Sequence, residues 1–293
     1  MRTVKTYAVT IAIALLAAAS SAHADEMRSG GKLVLTGGVT SVEGAAGGGL
    51  ATWAVITGNE TDAGIGASVN ITDVPLTDFN LTAIGGKIGW RDRVEVSFQH
   101  ITFDTRKAGA ALGLGRNFRF DQNVIGAKVR IIGDAVYDQD RILPQIAIGV
   151  QYKLANQGAI IRAVGGRQSR GTDFYVAATK VVLSKSLVLD ATMRLTKANQ
   201  FGLLGFGGDK VDRYRPQFEG SAAVLLTPRL VIGAEYRSKP DNLGFAREQG
   251  GYDLFAAWSL MRNITLTAAY TDLGDIATFR SQRGAFLSLQ GGF

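Results

Sequence analysis

Apolar and polar residues alternate one by one over segments of about ten residues along most of this chain. In "RLVIGAEYR", residues 229–237, Leu230, Ile232, Ala234 and Tyr236 share one face, and Arg229, Val231, Gly233, Glu235 and Arg237 share the other. In "LVLDATMRLT", residues 187–196, five apolar positions oppose Asp190, Thr192 and Arg194. "QIAIGVQYKL" and "NITLTAAYTD" repeat the pattern. A period of two means strands with one apolar and one polar face. Ordinary strands run about five or six residues, whereas tilted strands that cross a bilayer run about nine to eleven. These segments have the second length. Aromatic residues gather near their ends, at Trp90, Phe174, Tyr175, Phe218, Tyr236, Tyr252, Trp258 and Tyr270, as interfacial girdles do.

The connections alternate too. Short turns fall at 91–93, 184–186, 227–229 and 261–263, and longer polar or Gly-rich loops near 104–121, 156–172, 197–213, 238–250 and 273–283. Short turns at one mouth and long loops at the other are the pattern of outer-membrane barrels. The predicted fold is therefore all-β, a closed antiparallel transmembrane barrel of about 12–14 strands. Eleven strands read clearly between residues 80 and 293, and three weaker ones near 64–72, 50–58 and 32–41 bring the count to fourteen. Twelve stays open because the Gly-rich stretch "GVTSVEGAAGGG" is ambiguous. Either even number returns both chain ends to the same side. A soluble β-sandwich is the rival fold, but shorter strands and less regular loops would be expected of it.

The N-terminus fits that destination. Arg2 and Lys5 precede the apolar run Ala8–Ala19, and Ala22-His23-Ala24 offers a small-residue cleavage site. Residues 1–24 are read as a secretory signal peptide and 25–293 as the barrel domain. The run is too short to span about 30 Å of hydrocarbon. At the other end, Leu287, Leu289 and Phe293 alternate in the closing strand. A barrel's last strand must pair with its first, since unpaired backbone is not tolerated in lipid. The terminal Phe also has the look of a signal read by barrel-assembly machinery. The expected partners are thus the lipid bilayer, that machinery and small solutes.

The segments "VYDQDRILPQIAIGVQYK", "GTDFYVAATK", "ANQFGLLGFGGD", "GAEYRSKPDNL" and "LTAAYTDLGDIA" together resemble an uncharacterised proteobacterial family, domain of unknown function 3034. The resemblance implies an envelope protein and transfers no activity and no site residue.

Composition removes several chemistries. There is no cysteine, so no disulfide or thiol site. The net charge of +7 is mild and is not gathered in a tail, so no nucleic-acid partner is expected. Outside the signal segment His100 is the one histidine, on the same face as Val94, Val96 and Phe98. A catalytic base needs a nucleophile and an orienting group beside it, so no catalytic residue, metal or cofactor is expected. "GFGGDK", 205–210, lacks the Gly-Lys-Ser/Thr of a phosphate loop. Asp134, Asp138 and Asp140 lack calcium-loop spacing and read as a solvated turn.

Two groups remain. The inward faces carry Lys87, Glu95, Lys128, Arg130, Lys153, Lys180, Asp190, Arg194, Glu219, Glu235, Arg237 and Asp253, seven basic and five acidic residues. They predict either a lumen filled by ion pairs or a hydrated path with a weak anion preference. Phe201, Leu203, Leu204 and Phe206 form an apolar run inside a loop, which predicts a constriction folded into the lumen or a ligand or partner patch. The expected function is a narrow outer-membrane channel or transporter for small solutes. The alternative is a non-transporting envelope barrel whose loops bind a partner.

Overall fold

The computed structural model describes residues 32, 35, 37–59 and 64–293. The signal-peptide reading of 1–24 lies outside the described residues. After a two-strand hairpin, β1 (Val39–Thr40) and β2 (Ala46–Gly47), twelve long strands follow. They are β3 (Ile65–Pro75), β4 (Asn80–Trp90), β5 (Val94–Asp104), β6 (Arg119–Ile132), β7 (Gln145–Ala155) and β8 (Arg170–Val182). The second half is β9 (Leu187–Thr196), β10 (Arg215–Thr227), β11 (Leu230–Arg237), β12 (Gly251–Met261), β13 (Ile264–Asp272) and β14 (Arg283–Gly292). Each pairs antiparallel with its chain neighbours, and β14 pairs with β3 to close the barrel.

Closure extends to the last residue. The Phe293 amide donates to the Ala67 carbonyl at 2.9 Å, and the Ala67 amide donates to the Phe293 carbonyl at 2.7 Å. Leu287 and Phe293 face outward, each nearly half exposed.

The wall is inside out relative to a soluble protein. Along β9 the apolar Leu189, Met193 and Leu195 are exposed, and the polar Asp190, Thr192, Arg194 and Thr196 are buried. This arrangement suits an exterior in lipid, where apolar side chains cost nothing and every backbone group is paired along the strands. Trp90, Phe174, Phe218, Tyr236, Tyr252, Trp258 and Tyr270 all point outward. Tyr175 does not. It turns into the lumen, with the Arg194 guanidinium 5.0 Å from its ring centre.

One mouth carries the short turns, the 133–144 connection and Phe293. The other carries six connections, 76–79, 105–118, 156–169, 197–214, 238–250 and 273–282, with short helices α1 (Ala108–Ala111) and α2 (Gly158–Ala163) among them. The first is the turn-side mouth and the second the loop-side mouth.

Twelve strands, not fourteen, form the wall. The segments expected as strands near 32–41 and 50–58 are inside the barrel as far as they are described. From Val39 to Ile56 every residue is buried, with no alternation. A wall strand has one face in lipid, whereas this segment is surrounded on all sides. Gly37 and Gly58 meet at the turn-side mouth, where a Cβ on Gly37 would lie 3.3 Å from the Gly58 carbonyl oxygen. Residues 37–58 are therefore a re-entrant plug that rises into the lumen and returns.

Candidate functional site in the lumen

A chain folded irregularly in a water-poor lumen must find partners for its amides and carbonyls. Here the wall side chains supply them. Glu95 accepts from the Ala46 amide at 3.0 Å and the Thr57 amide at 2.9 Å, clamping both legs of the plug. Lys128, 3.2 Å from Glu95, donates to the carbonyls of Ala46 at 3.1 Å and Trp53 at 3.0 Å. Glu235 accepts from the Leu50 amide at 2.7 Å, and Glu219 from the Thr52 amide at 2.8 Å. Thr179 accepts from the Ala54 amide, and Gln145 donates to the Ala54 carbonyl, both at 2.7 Å.

The glycines of the plug follow from the same crowding. Gly44 has φ of +93°, and a Cβ there would lie 2.8 Å from that of Gln99. A Cβ on Gly48 would collide with the Glu235 carboxylate at 1.6 Å.

Near the plug's tip, Glu43 enters a cluster of buried charges. It pairs with Lys153 and, at 2.7 Å, with Arg237. Lys153 also pairs with Asp173 at 2.6 Å. Arg194 lies 3.5 Å from Asp173, reaches Glu219, and donates to Gln151 at 2.6 Å and to the Thr52 hydroxyl at 2.9 Å. Burial opposes charge on Glu43, but Arg237, Lys153 and Arg194 together hold its carboxyl below the usual range.

Above this cluster the 197–214 loop folds inward. The Phe201 carbonyl accepts from Gln122 at 3.2 Å and Lys153 at 3.3 Å. Its ring lies under Arg237, 4.5 Å from the guanidinium, and 5.4 Å from the Lys239 ammonium. Lys153 thus joins the plug's tip to the loop above it. Gln200 and Phe201 are consecutive non-glycine residues at φ of +46° and +58°, a strained kink that surrounding contacts must hold. One contact is the Gln200 amide donating to Glu248 at 2.9 Å. Burial pushes the Glu248 carboxyl up to about 7, against the pull of nearby Lys239.

A family model described as "Protein of unknown function (DUF3034)" matches residues 36–290. The chain belongs to that family. No curated protein matches it. Among solved structures, the KdgM porin is similar at 9% identity, with 77% of this chain and 99% of that chain covered and a TM-score of 0.50. A second KdgM structure, described as a complex with disordered oligogalacturonate, gives the same values. The NanC porin is similar at 12% identity, covering 77% of this chain and 98% of that one, again at 0.50. At such identities the likeness is one of fold, a closed antiparallel barrel like those of outer-membrane porins.

Glu95, Lys128, Lys153, Arg194, Glu219, Glu235 and Arg237 all touch the plug or its ion cluster. Lys87 donates to the Thr40 hydroxyl, and Asp253 faces Gly49. Asp190 accepts from Thr179 at 2.6 Å. Arg130 lies inward near the turn-side mouth, whereas Lys180 does not line the lumen: it falls on the outward face of β8 with Phe174 and Val176, opposite Asp173, Tyr175 and Thr179. Arg130 pairs with Asp92 at 2.8 Å, and Lys180 donates to the carbonyls of Asp138 and Leu143. Phe201, Leu203 and Phe206 are buried, and Leu204 is partly so.

Two acidic residues were missed. Asp173 follows the alternation of "GTDFYVAATK", on the face of Tyr175, Ala177 and Thr179, and that signal was available. Glu43 had none, because nothing local marks a segment as a plug. The two raise the acidic count from five to seven, and with Lys180 on the outward face the basic count falls from seven to six, so the ground for an anion preference is gone. His100 faces outward and meets Asn123 at 2.8 Å and Thr102 at 3.4 Å. Asp134 binds Arg130 and caps the amides of Val136 and Tyr137. Among the described residues no group of three or more potential ligands is arranged to hold a metal ion.

Proposed function

We propose that this chain is an outer-membrane channel for small solutes, closed at rest by residues 37–58. The observation that carries the reading is how the plug is held. Its backbone is bound by wall side chains through hydrogen bonds and ion pairs, each of which water can replace when the segment leaves. The apolar side chains of Val42, Leu50, Trp53 and Val55 also join a buried apolar cluster with the wall, and these contacts add to the hold on the closed position. The polar inner wall and the shared porin architecture support the same reading. The oligogalacturonate of the KdgM complex does not carry over, because this lumen has no excess of basic residues to meet it. Chemistry on a substrate is not part of the proposal, since His100 has only Asn123 and Thr102 beside it.

Residues 1–24 would direct export and be removed in its course, and the assembly machinery would read Leu287, Leu289 and Phe293. Deleting Phe293 is then expected to lower the fraction of heat-modifiable, assembled barrel in isolated outer membranes.

The filled lumen favours one other reading, a non-transporting barrel whose loops serve as a surface. Single-channel current separates the two. The full-length chain is expected to be mostly silent in a planar bilayer. A chain with Gly37 joined to Gly58 is expected to pass steady discrete current. A correctly folded deletion variant that stays silent would remove the channel reading.

A further inference from the structure

All six connections of the loop-side mouth contribute residues to one apolar cup above the plug. Phe201 and Leu203 come from the 197–214 loop, Phe79 from the shortest connection, Phe245 from 238–250, and Ile276 from 273–282. The cup encloses a cavity of about 130 Å³. Phe79 stacks on Phe103 at 5.1 Å and meets Phe279 edge-on at 5.4 Å, so one wall is built of aromatic rings.

Loops that only sealed the mouth would close on one another, since interiors pack as densely as organic crystals. These six leave a space. Dry apolar cavities of about 150 Å³ take up benzene or xenon, so this one has room for a single ring or a short alkyl chain.

The two polar side chains lining the cup are already engaged. The Thr105 hydroxyl donates to the Phe118 carbonyl at 2.9 Å. The Gln200 amide donates to the Asp275 carbonyl at 3.1 Å and accepts from Lys239 at 3.4 Å. A ligand bearing a charge or an obligate hydrogen-bond donor would lose its water without gaining a partner. Phe245 is 39% exposed, which places the route in from solvent on its side.

We propose that the cup binds a small, neutral, apolar molecule of about one aromatic ring, as the capture site of the channel. The binding stands on the cavity itself, and only the capture role rests on the channel reading. Phe201 lies between the two levels. Its side chain lines the cup, and its carbonyl is held by the same Lys153 that holds Glu43. A ligand that shifts Phe201 therefore bears on the plug's tip.

The test uses crystals of the full-length chain exposed to iodobenzene vapour. An anomalous peak within the cup is expected. Leu203→Trp, which fills the space, should lower its occupancy by about tenfold. Ile276→Phe provides a second filling variant should Leu203→Trp fail to migrate as a heat-modifiable barrel. Iodine found only against the outer wall, or a cup peak unchanged in a folded filling variant, would overturn the site. Toluene added to the bilayer chamber then reads the capture role separately. Bound iodobenzene with no toluene-dependent change in current would remove that role and leave the binding site standing.

Discussion

One apolar cluster runs through both levels of the lumen, and the two differ in the charges and the free space around it. Toward the turn-side mouth the plug is bound by buried charges, with Glu95 and Lys128 across its legs and Glu43 at its tip. At the loop-side mouth the cup is lined by Phe and Leu side chains and contains an unfilled space. The difference lies in how each can open. A charged lattice is costly to break by deleting one partner, yet it dissolves as a whole when water enters to solvate every group. An apolar cup gains nothing from water and is filled only by something apolar. In the proposed channel, their sequence along the barrel axis would put a selective surface ahead of a hydratable gate.

The largest effect expected from breaking this arrangement is loss of the plug. Joining Gly37 to Gly58 should move the open fraction from about 1% to about 99%, a shift of roughly 5.5 kcal/mol, read as single-channel current. Next is Glu43→Gln. It leaves Lys153 and Arg237 short of a carboxylate, although Asp173 and Glu219 still face them. Breaking a buried pair costs about 3–5 kcal/mol. The remaining acids put the expected loss near the lower end, seen as frequent spontaneous openings, with Glu43→Asp restoring part of the silence.

Glu95→Gln should cost about 1–3 kcal/mol, because one plug amide is left without an acceptor and Lys128 loses its nearest carboxylate while Asp190 still acts on it. Faster hydrogen exchange at Ala46 and Thr57 would report it.

The loop-side mouth should respond to pH through Glu248. Its carboxyl titrates at about 7 in the folded chain, against an ordinary value of 4.5. Between these values the folded state keeps a proton that the unfolded state has lost. Stability from this group is therefore full below about pH 4.5 and falls as pH rises through 7. Glu248→Gln should flatten that slope in thermal unfolding followed across the same range. Smallest is Lys210→Ala. It removes a solvent-exposed pair with Asp241, worth less than about 1 kcal/mol, and both current and melting temperature should stay as they are.

Legibility in the sequence divides along similar lines. Asp190, Thr192 and Arg194 were placed on the inner face from alternation alone, and the burial of β9 agrees. The apolar run Phe201–Phe206 stood out because a loop has no local reason to carry it. Its strained kink and its tie to Lys153 could not be read, since both depend on β7 and β11 standing beneath it. The Gly-rich stretch 44–49 was noticed as ambiguous, which kept twelve strands open, but its place inside the barrel could not be read. Its glycines answer to Gln99 and Glu235, residues that only the closed barrel brings near.

The sequence by itself determined the wall. Each strand crosses lipid alone, so its outward row must be apolar and its length must match the bilayer. Both constraints are local and repeat with a period of two. Tertiary structure alone decided what occupies the interior. Glu43 and Arg237 stand 194 positions apart in the chain, and a segment enclosed on every side by a wall of mixed polar and apolar side chains has no preferred face to leave a periodic mark. The plug exists as a plug only once twelve strands have closed around it.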